Sequence, residues 1–112
     1  MFHRQFIYVP KTVEDMKRDY FGYENISFDE WLLYHNEFNA LWDCGVFKYF
    51  SEKFDVFIDV YEDAWIFYQP LYFHYEELIE ELKKFRCKNE IKTLIDMIDK
   101  AIESRTFLGF FL

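Results

Sequence analysis

The chain has few of the residues on which several common kinds of site depend. It has three glycines in 112 residues, too few for the repeated close backbone approaches that cradle a phosphate. It has two cysteines, Cys44 and Cys87, whose separation matches no metal-ligand spacing. Both are therefore expected as free, small, apolar side chains rather than as a disulfide. The three histidines, His3, His35 and His74, are scattered. None has the i,i+4 partner of a helical zinc pair, so neither a metal nor any other cofactor is expected. Positive charge is also scarce. Thirteen basic residues against 21 acidic ones leave a net charge of -8, which repels nucleic acid and anionic lipid surfaces and suits a basic partner. No apolar run approaches the ~20 residues that span a bilayer, and no charged start followed by an apolar stretch marks a secretory signal. A cytoplasmic location is the expectation, and no internal repeat or low-complexity stretch is visible.

Aromatic residues are abundant. The apolar share is 52%, enough to exclude disorder, and 15 Phe, 9 Tyr and 3 Trp make up 24% of the chain. Packing alone does not require so many rings, so some are expected to meet a partner. A single domain over residues 1–112 has enough length for a core without staples.

In chain order, residues 2–9 alternate and are rich in β-branched and aromatic side chains, which predicts a strand ended by Pro10. Thr12, with Asp15 three residues on, predicts a capped helix with Val13, Met16, Lys17 and Tyr20 along its stripe, up to Gly22. Residues 28–44 place Phe28, Trp31, Leu32, His35, Phe38, Leu41 and Trp42 at helical steps of three and four. Ser27 and Glu30 stand as a capping box at its start, and Gly45 marks its stop. Residues 54–61 alternate Phe54, Val56, Ile58 and Val60 with Asp55 and Asp59, predicting a second strand. Residues 64–73 read as a strand or as an aromatic helical turn, interrupted by Pro70. Helices are expected over 74–85 and, capped by Asn89, over 90–104, and a last strand over 106–112.

Within the central helix, Asn36, Asn39 and Asp43 fall on one strip at the edge of the apolar face. Asp43 stands near the helix C-terminus, where the dipole disfavours an anion by roughly 0.3–1 kcal/mol. Such a local conflict marks a place to look for function. Residues 34–44, above all Ala40-Leu41-Trp42-Asp43-Cys44, resemble the recognition helix of the barstar family of intracellular ribonuclease inhibitors. The predicted order of strand, helix, recognition helix, strand, two helices and strand is similar too. The resemblance implies an α/β fold, with a small three-stranded parallel sheet and helices packed against it.

For function, the resemblance implies no enzyme but an immunity protein. It would act as a monomer that plugs the active site of a basic ribonuclease toxin in a 1:1 complex by acidic substrate mimicry. Asp43 would enter the phosphate site, Trp42 and Phe38 would pack around it and exclude water, Glu37 and Asp99 would meet the basic rim, and Asn39 and Tyr34 would belong to the same partner-binding surface. The chain departs from the family in three ways: His35 stands for its glycine, Asn39 for an acid, and residues 64–73 look inserted. The alternative is an immunity or adaptor protein of another fold that binds a different basic partner through its acidic faces. Carboxylates are numerous enough for glycoside chemistry, but no polar loop gathers them into a cleft.

Overall fold

A computed structural model describes residues 4–20 and 26–112. Phe2 and His3 at the expected start of the first strand, the Tyr20 ring, Gly22 and most of the loop after it lie outside the described residues. The elements run β1 (Phe6–Pro10), α1 (Val13–Tyr20), β2 (Phe28–Leu32), α2 (His35–Cys44), α3 (Val46–Phe54), β3 (Asp63–Phe67), α4 (Tyr68–Phe73), α5 (Tyr75–Leu82), α6 (Lys88–Ser104) and β4 (Phe107–Phe111).

The chain is α/β, but the sheet differs from the expected one. It has four strands in the order β2-β1-β4-β3, and each neighbouring pair is antiparallel. A three-stranded parallel sheet needs each connecting helix to run back along the strands. Here α1, at 8 residues, makes only about two turns, and the chain returns through β2 directly against β1 with Ile7 opposite Trp31. The register puts Ile7, Val9, Ala64, Ile66, Leu108 and Phe110 on one face and Phe6, Tyr8, Trp65, Phe67, Phe107 and Gly109 on the other.

The first face carries the main core. Helix α6 lies across β1 and β4, and Leu41, Phe47, Phe50, Leu71, Leu78, Leu82, Ile91, Leu94 and Ile98 fill the layer between. The Lys53 ammonium holds Glu77 at 2.5 Å and so ties α3 to α5. The second face is aromatic. Phe6 stacks on Phe111 with centroids 4.9 Å apart, and Tyr8, Trp65 and Phe67 all meet Phe107 edge-on. Helix α1 lies on this side, because the Tyr8 hydroxyl donates to Asp19 Oδ2 at 3.1 Å. The same hydroxyl accepts from Trp65 Nε1 at 3.0 Å. The expected cap of α1 is formed: Thr12 Oγ1 accepts from the Asp15 amide and donates to the Asp15 carboxylate.

Two further expectations need correction. Residues 28–32 are not the first turns of the central helix but the edge strand β2. Glu30 turns outward to Arg4 at 2.8 Å, and the Ser27 amide donates to Asp15 rather than opening a helix. Residues 54–61 are not a strand either. Phe54 closes α3, the next residues form no ladder, and Asp55 and Tyr61 adopt left-handed backbone at φ 52° and 65°. The third strand is instead β3, within the stretch that read as strand or helical turn. Both occur there, since α4 follows at once and holds Pro70 in its first turn, where a missing N–H costs nothing. Helix α6 begins before Asn89, with Cys87 at its N-cap. Among the described residues no helix is long and apolar enough to cross a membrane.

Candidate functional site

Helix α2 starts at an unusual cap. Tyr34 offers its extended backbone, and the Glu37 carboxylate reaches back to accept from the Tyr34 amide at 3.0 Å. The other Glu37 oxygen accepts from Trp31 Nε1 at 3.3 Å, so this side chain fastens α2 to β2. At the far end Gly45 adopts φ 86°, and its N–H bonds to the carbonyls of Leu41 and Trp42. The Gly45 carbonyl then accepts from the Tyr49 amide, opening α3 with Gly45 as the single residue between the two helices. A side chain at φ 86° would be strained, so this reversal depends on glycine.

The reversal creates a groove. Phe38 stacks on Trp42 with centroids 5.7 Å apart and touches Phe47 at 5.8 Å, which leaves the outer part of the Trp42 ring in water. Trp42, Gly45, Phe47, Lys48, Ser51, Glu52, Phe57 and Ile58 line a concavity of about 440 Å³. Trp42 is 43% exposed and Phe57, across the groove, 68%. Beside Trp42, Asp43 is exposed in the last turn of α2, a turn that contains no basic residue. Asp43 has no hydrogen-bonding or ionic partner among the described residues. Asn36 and Asn39 are exposed along the same strip. The arrangement offers an uncompensated anion next to an aromatic wall and an apolar floor. It has no nucleophile–base pair, and the described residues hold no cluster of metal-ligating side chains.

Of the residues singled out in the sequence, Asp43, Trp42, Asn39 and Phe38 are brought together on one side of α2. Tyr34 is exposed at the opposite end of the helix. Glu37 is committed to the cap and to Trp31. His35, expected on the apolar face, is exposed in the first turn. Asp99 is placed elsewhere: it lines a separate groove of about 240 Å³ with Tyr72, Tyr75, Ile102 and Glu103. There the Tyr75 hydroxyl donates to Asp99 at 2.5 Å, and this bond, with burial, pushes the Tyr75 phenol up to about 12. No residue lines both grooves.

Sequence reasoning missed Phe57. A signal was present, because Phe57 falls with Asp55 and Asp59 on the solvent side of the alternation in residues 54–61. A large ring there has no burial to explain it. Comparisons of the chain with protein-family models, with curated proteins and with solved structures return no match.

Proposed function

We propose that this chain is a binding module that holds a basic protein against the C-terminal end of α2. Trp42 is its apolar anchor and Asp43 the anion beside it. The observation that carries this reading is the pairing of an exposed Trp42 wall with an unpartnered Asp43 at a helix C-terminus. A cation placed there is attracted by the carboxylate and by the negative end of the helix dipole together. The net charge of -8 adds long-range steering toward a basic surface. Trp42 and Phe57 supply rigid area that keeps water from the charge pair, the usual composition of an energetic centre in an interface.

The likeness of residues 34–44 to the barstar recognition helix supports a basic ribonuclease as the first partner to try, with Asp43 occupying its phosphate site. Because the sheet is antiparallel, that likeness is confined to α2 and its approach. The antiparallel sheet favours the broader form of the reading, an immunity or adaptor protein on a different scaffold that grips a basic protein.

The test is binding to basic ribonucleases and other basic proteins at low and high ionic strength. Asp43→Ala and Trp42→Ala are compared with Glu80→Ala, a charge-matched control on the exposed side of α5. In a complex that buries Asp43 among cations, Asp43→Ala costs roughly 2–5 kcal/mol, mostly as faster dissociation. Association slows with salt, while the stability of the free protein changes by no more than about 0.5 kcal/mol. Equal small losses for Asp43→Ala and Glu80→Ala would mean that net charge alone acts, and would overturn the assignment of the site.

A further inference from the structure

Helix α4 ends at Phe73 and α5 begins at Tyr75, with only His74 between them. Helix α4 packs on both α5 and α6, and the groove of about 240 Å³ is lined by Tyr72 of α4, Tyr75 of α5, and Asp99, Ile102 and Glu103 of α6. Tyr75 and Ile102 pack on the main core, and the Tyr75 hydroxyl is bonded to Asp99 at 2.5 Å, so this part of the groove is held in place. Tyr72 is different. It is 71% exposed, Phe73 beside it is exposed too, and Tyr72 also lines two further concavities. A ring left so open where three concavities meet offers its face to something outside the chain.

The groove is anionic, and the chain brings no cation to it. Asp99 and Glu103 are four residues apart on α6, so they share a face of the helix and repel one another. No basic residue stands in the last turn of α6, and the helix dipole adds to the negative potential there. Lys100, next to Asp99, is turned to Asp29 of β2 at 3.9 Å. Arg105 lines a concavity with Tyr72 and Glu103 but not this groove. Among the described residues the Tyr75 hydroxyl is the one partner of these two carboxylates.

We infer that this groove receives an arginine side chain of a partner polypeptide, with the guanidinium lying against the Tyr72 ring and donating to Asp99 and Glu103. The volume sets the size of the guest. About 240 Å³ falls below the roughly 300–1,000 Å³ of small-molecule sites and suits a single side chain. The lining sets its chemistry: two phenol rings attract a cation to their faces, and two carboxylates accept hydrogen bonds from it. Arginine is favoured over lysine because a guanidinium stacks on a ring while its edge donates to carboxylates. It is also more weakly hydrated than an ammonium, so it loses less on entering a groove walled by rings. Asp99 keeps one oxygen for the guest, since the Tyr75 hydroxyl occupies only Oδ1. This surface does not rest on the reading of the Trp42 groove, with which it shares no lining residue.

The probes are hexa-arginine and hexa-lysine peptides, titrated into the full chain and into Asp43→Ala, with backbone amide NMR shifts as the readout. Asp43→Ala removes the anion of the other groove, so binding at the two places is separated. Expected are shifts at residues 72–75 and 99–103 with hexa-arginine, retained in Asp43→Ala, and binding of hexa-lysine weaker by about fivefold or more. Tyr72→Ala, and Asp99→Asn combined with Glu103→Gln, should each weaken hexa-arginine about tenfold, whereas Tyr72→Phe, which keeps the ring, binds as the wild type does. All three positions named for substitution are exposed, and circular dichroism checks that the variants are folded. Equal affinity for the two peptides would show a response to charge alone, and shifts confined to residues 42–48 would place the binding in the other groove. Either result overturns the inference, as does wild-type binding by Tyr72→Ala or the absence of shifts with either peptide. Shifts at residues 72–75 on concentrating the free protein would make a second copy the occupant and overturn it as well.

Discussion

Gly109→Ala adds a single methyl group at the centre of the sheet, and the effect expected of it follows from local geometry. Gly109 in β4 pairs with Tyr8 in β1 and with Trp65 in β3. A Cβ at this position would lie 2.5, 2.6 and 2.9 Å from Cε1, Cζ and Cδ1 of the Tyr8 ring. Comfortable contact between carbons is about 3.5–4.0 Å, so the ring or the strand must shift by about 1 Å. The ring has little freedom to do so. Its hydroxyl is bonded on both sides, to Asp19 and to Trp65, and the rings of Phe6, Phe28 and Phe107 stand 5.5–5.7 Å away. Overpacking of this kind costs about 1–3 kcal/mol, and breaking one of the hydroxyl's bonds adds about 0.5–1.5. Against this, alanine restricts the unfolded chain and returns about 0.4–1 kcal/mol. The balance is a destabilisation of about 2 kcal/mol, or a melting point lower by about 10 °C. Urea unfolding followed by tryptophan fluorescence measures it. In a Tyr8→Val background, where the ring is gone, the same Gly109→Ala change should be neutral or stabilising. A cost under about 0.5 kcal/mol, or the same cost in both backgrounds, would refute the steric account.

Glu37→Ala should lower stability by about 1–2 kcal/mol, because it orphans the Tyr34 amide and the Trp31 indole N–H. An unchanged thermal midpoint would mean that the carboxylate is not committed to the cap and is free for a partner. The pH dependence has two opposed contributions. Burial raises the Asp19 carboxyl above its ordinary value of 3.8, aided by Asp63 and opposed by the bond from Tyr8. The stability it contributes is therefore complete below that value and lost as pH rises through the folded one, so Asp19→Asn should stabilise the protein at neutral pH and bring no gain under strongly acid conditions. Asp15 has the other sign. The Thr12 hydroxyl and the Ser27 amide hold its carboxyl below 3.8, so its contribution is present above that value and lost as pH falls through the folded one. Asp15→Asn should lower the urea midpoint at neutral pH but not at the acid end. Parallel pH profiles for the wild type and both variants would contradict these assignments.

The parts of the fold visible in the sequence are those whose signal is local. The capping pair Thr12–Asp15, the alternation in β1 and the helical stripes of α5 and α6 each record an environment set by nearby residues. The misassigned segments are ambiguous for a physical reason. Phe28, Trp31 and Leu32 fit helical steps, but Phe28, Glu30 and Leu32 also alternate, and pairing with β1, distant in sequence, decides between them. The Ser27–Glu30 capping pattern is present but unused. The working cap uses Tyr34, a residue type with no cap preference to announce it. In residues 54–61 the alternation is real as burial, since Phe54, Val56 and Ile58 face the core, but no strand lies alongside to make a ladder. The sense of the sheet depends on how connections pack, which no periodicity encodes. At the site, Asp43 and Trp42 were legible because a helix fixes which residues share a strip. The separation of Asp99 from them was not, because it depends on where α6 sits.

The strand order β2-β1-β4-β3 also bears on how the chain can be made. β4 lies between β1 and β3, yet in chain order it follows all the other described elements. Until it emerges, β1 can pair only with β2, and β3 has no neighbour in the sheet. The helices already translated then have no finished floor to rest on, and Ile7, Val9, Ala64 and Ile66 stay open to other chains. At about 5–20 residues per second, the 40 residues from the end of β3 to the start of β4 leave this incomplete sheet exposed for about 2–8 s (107 − 67 = 40). Over that interval the net charge of -8 is expected to oppose association between copies whose sheets are still open, a consequence of the charge that needs no partner.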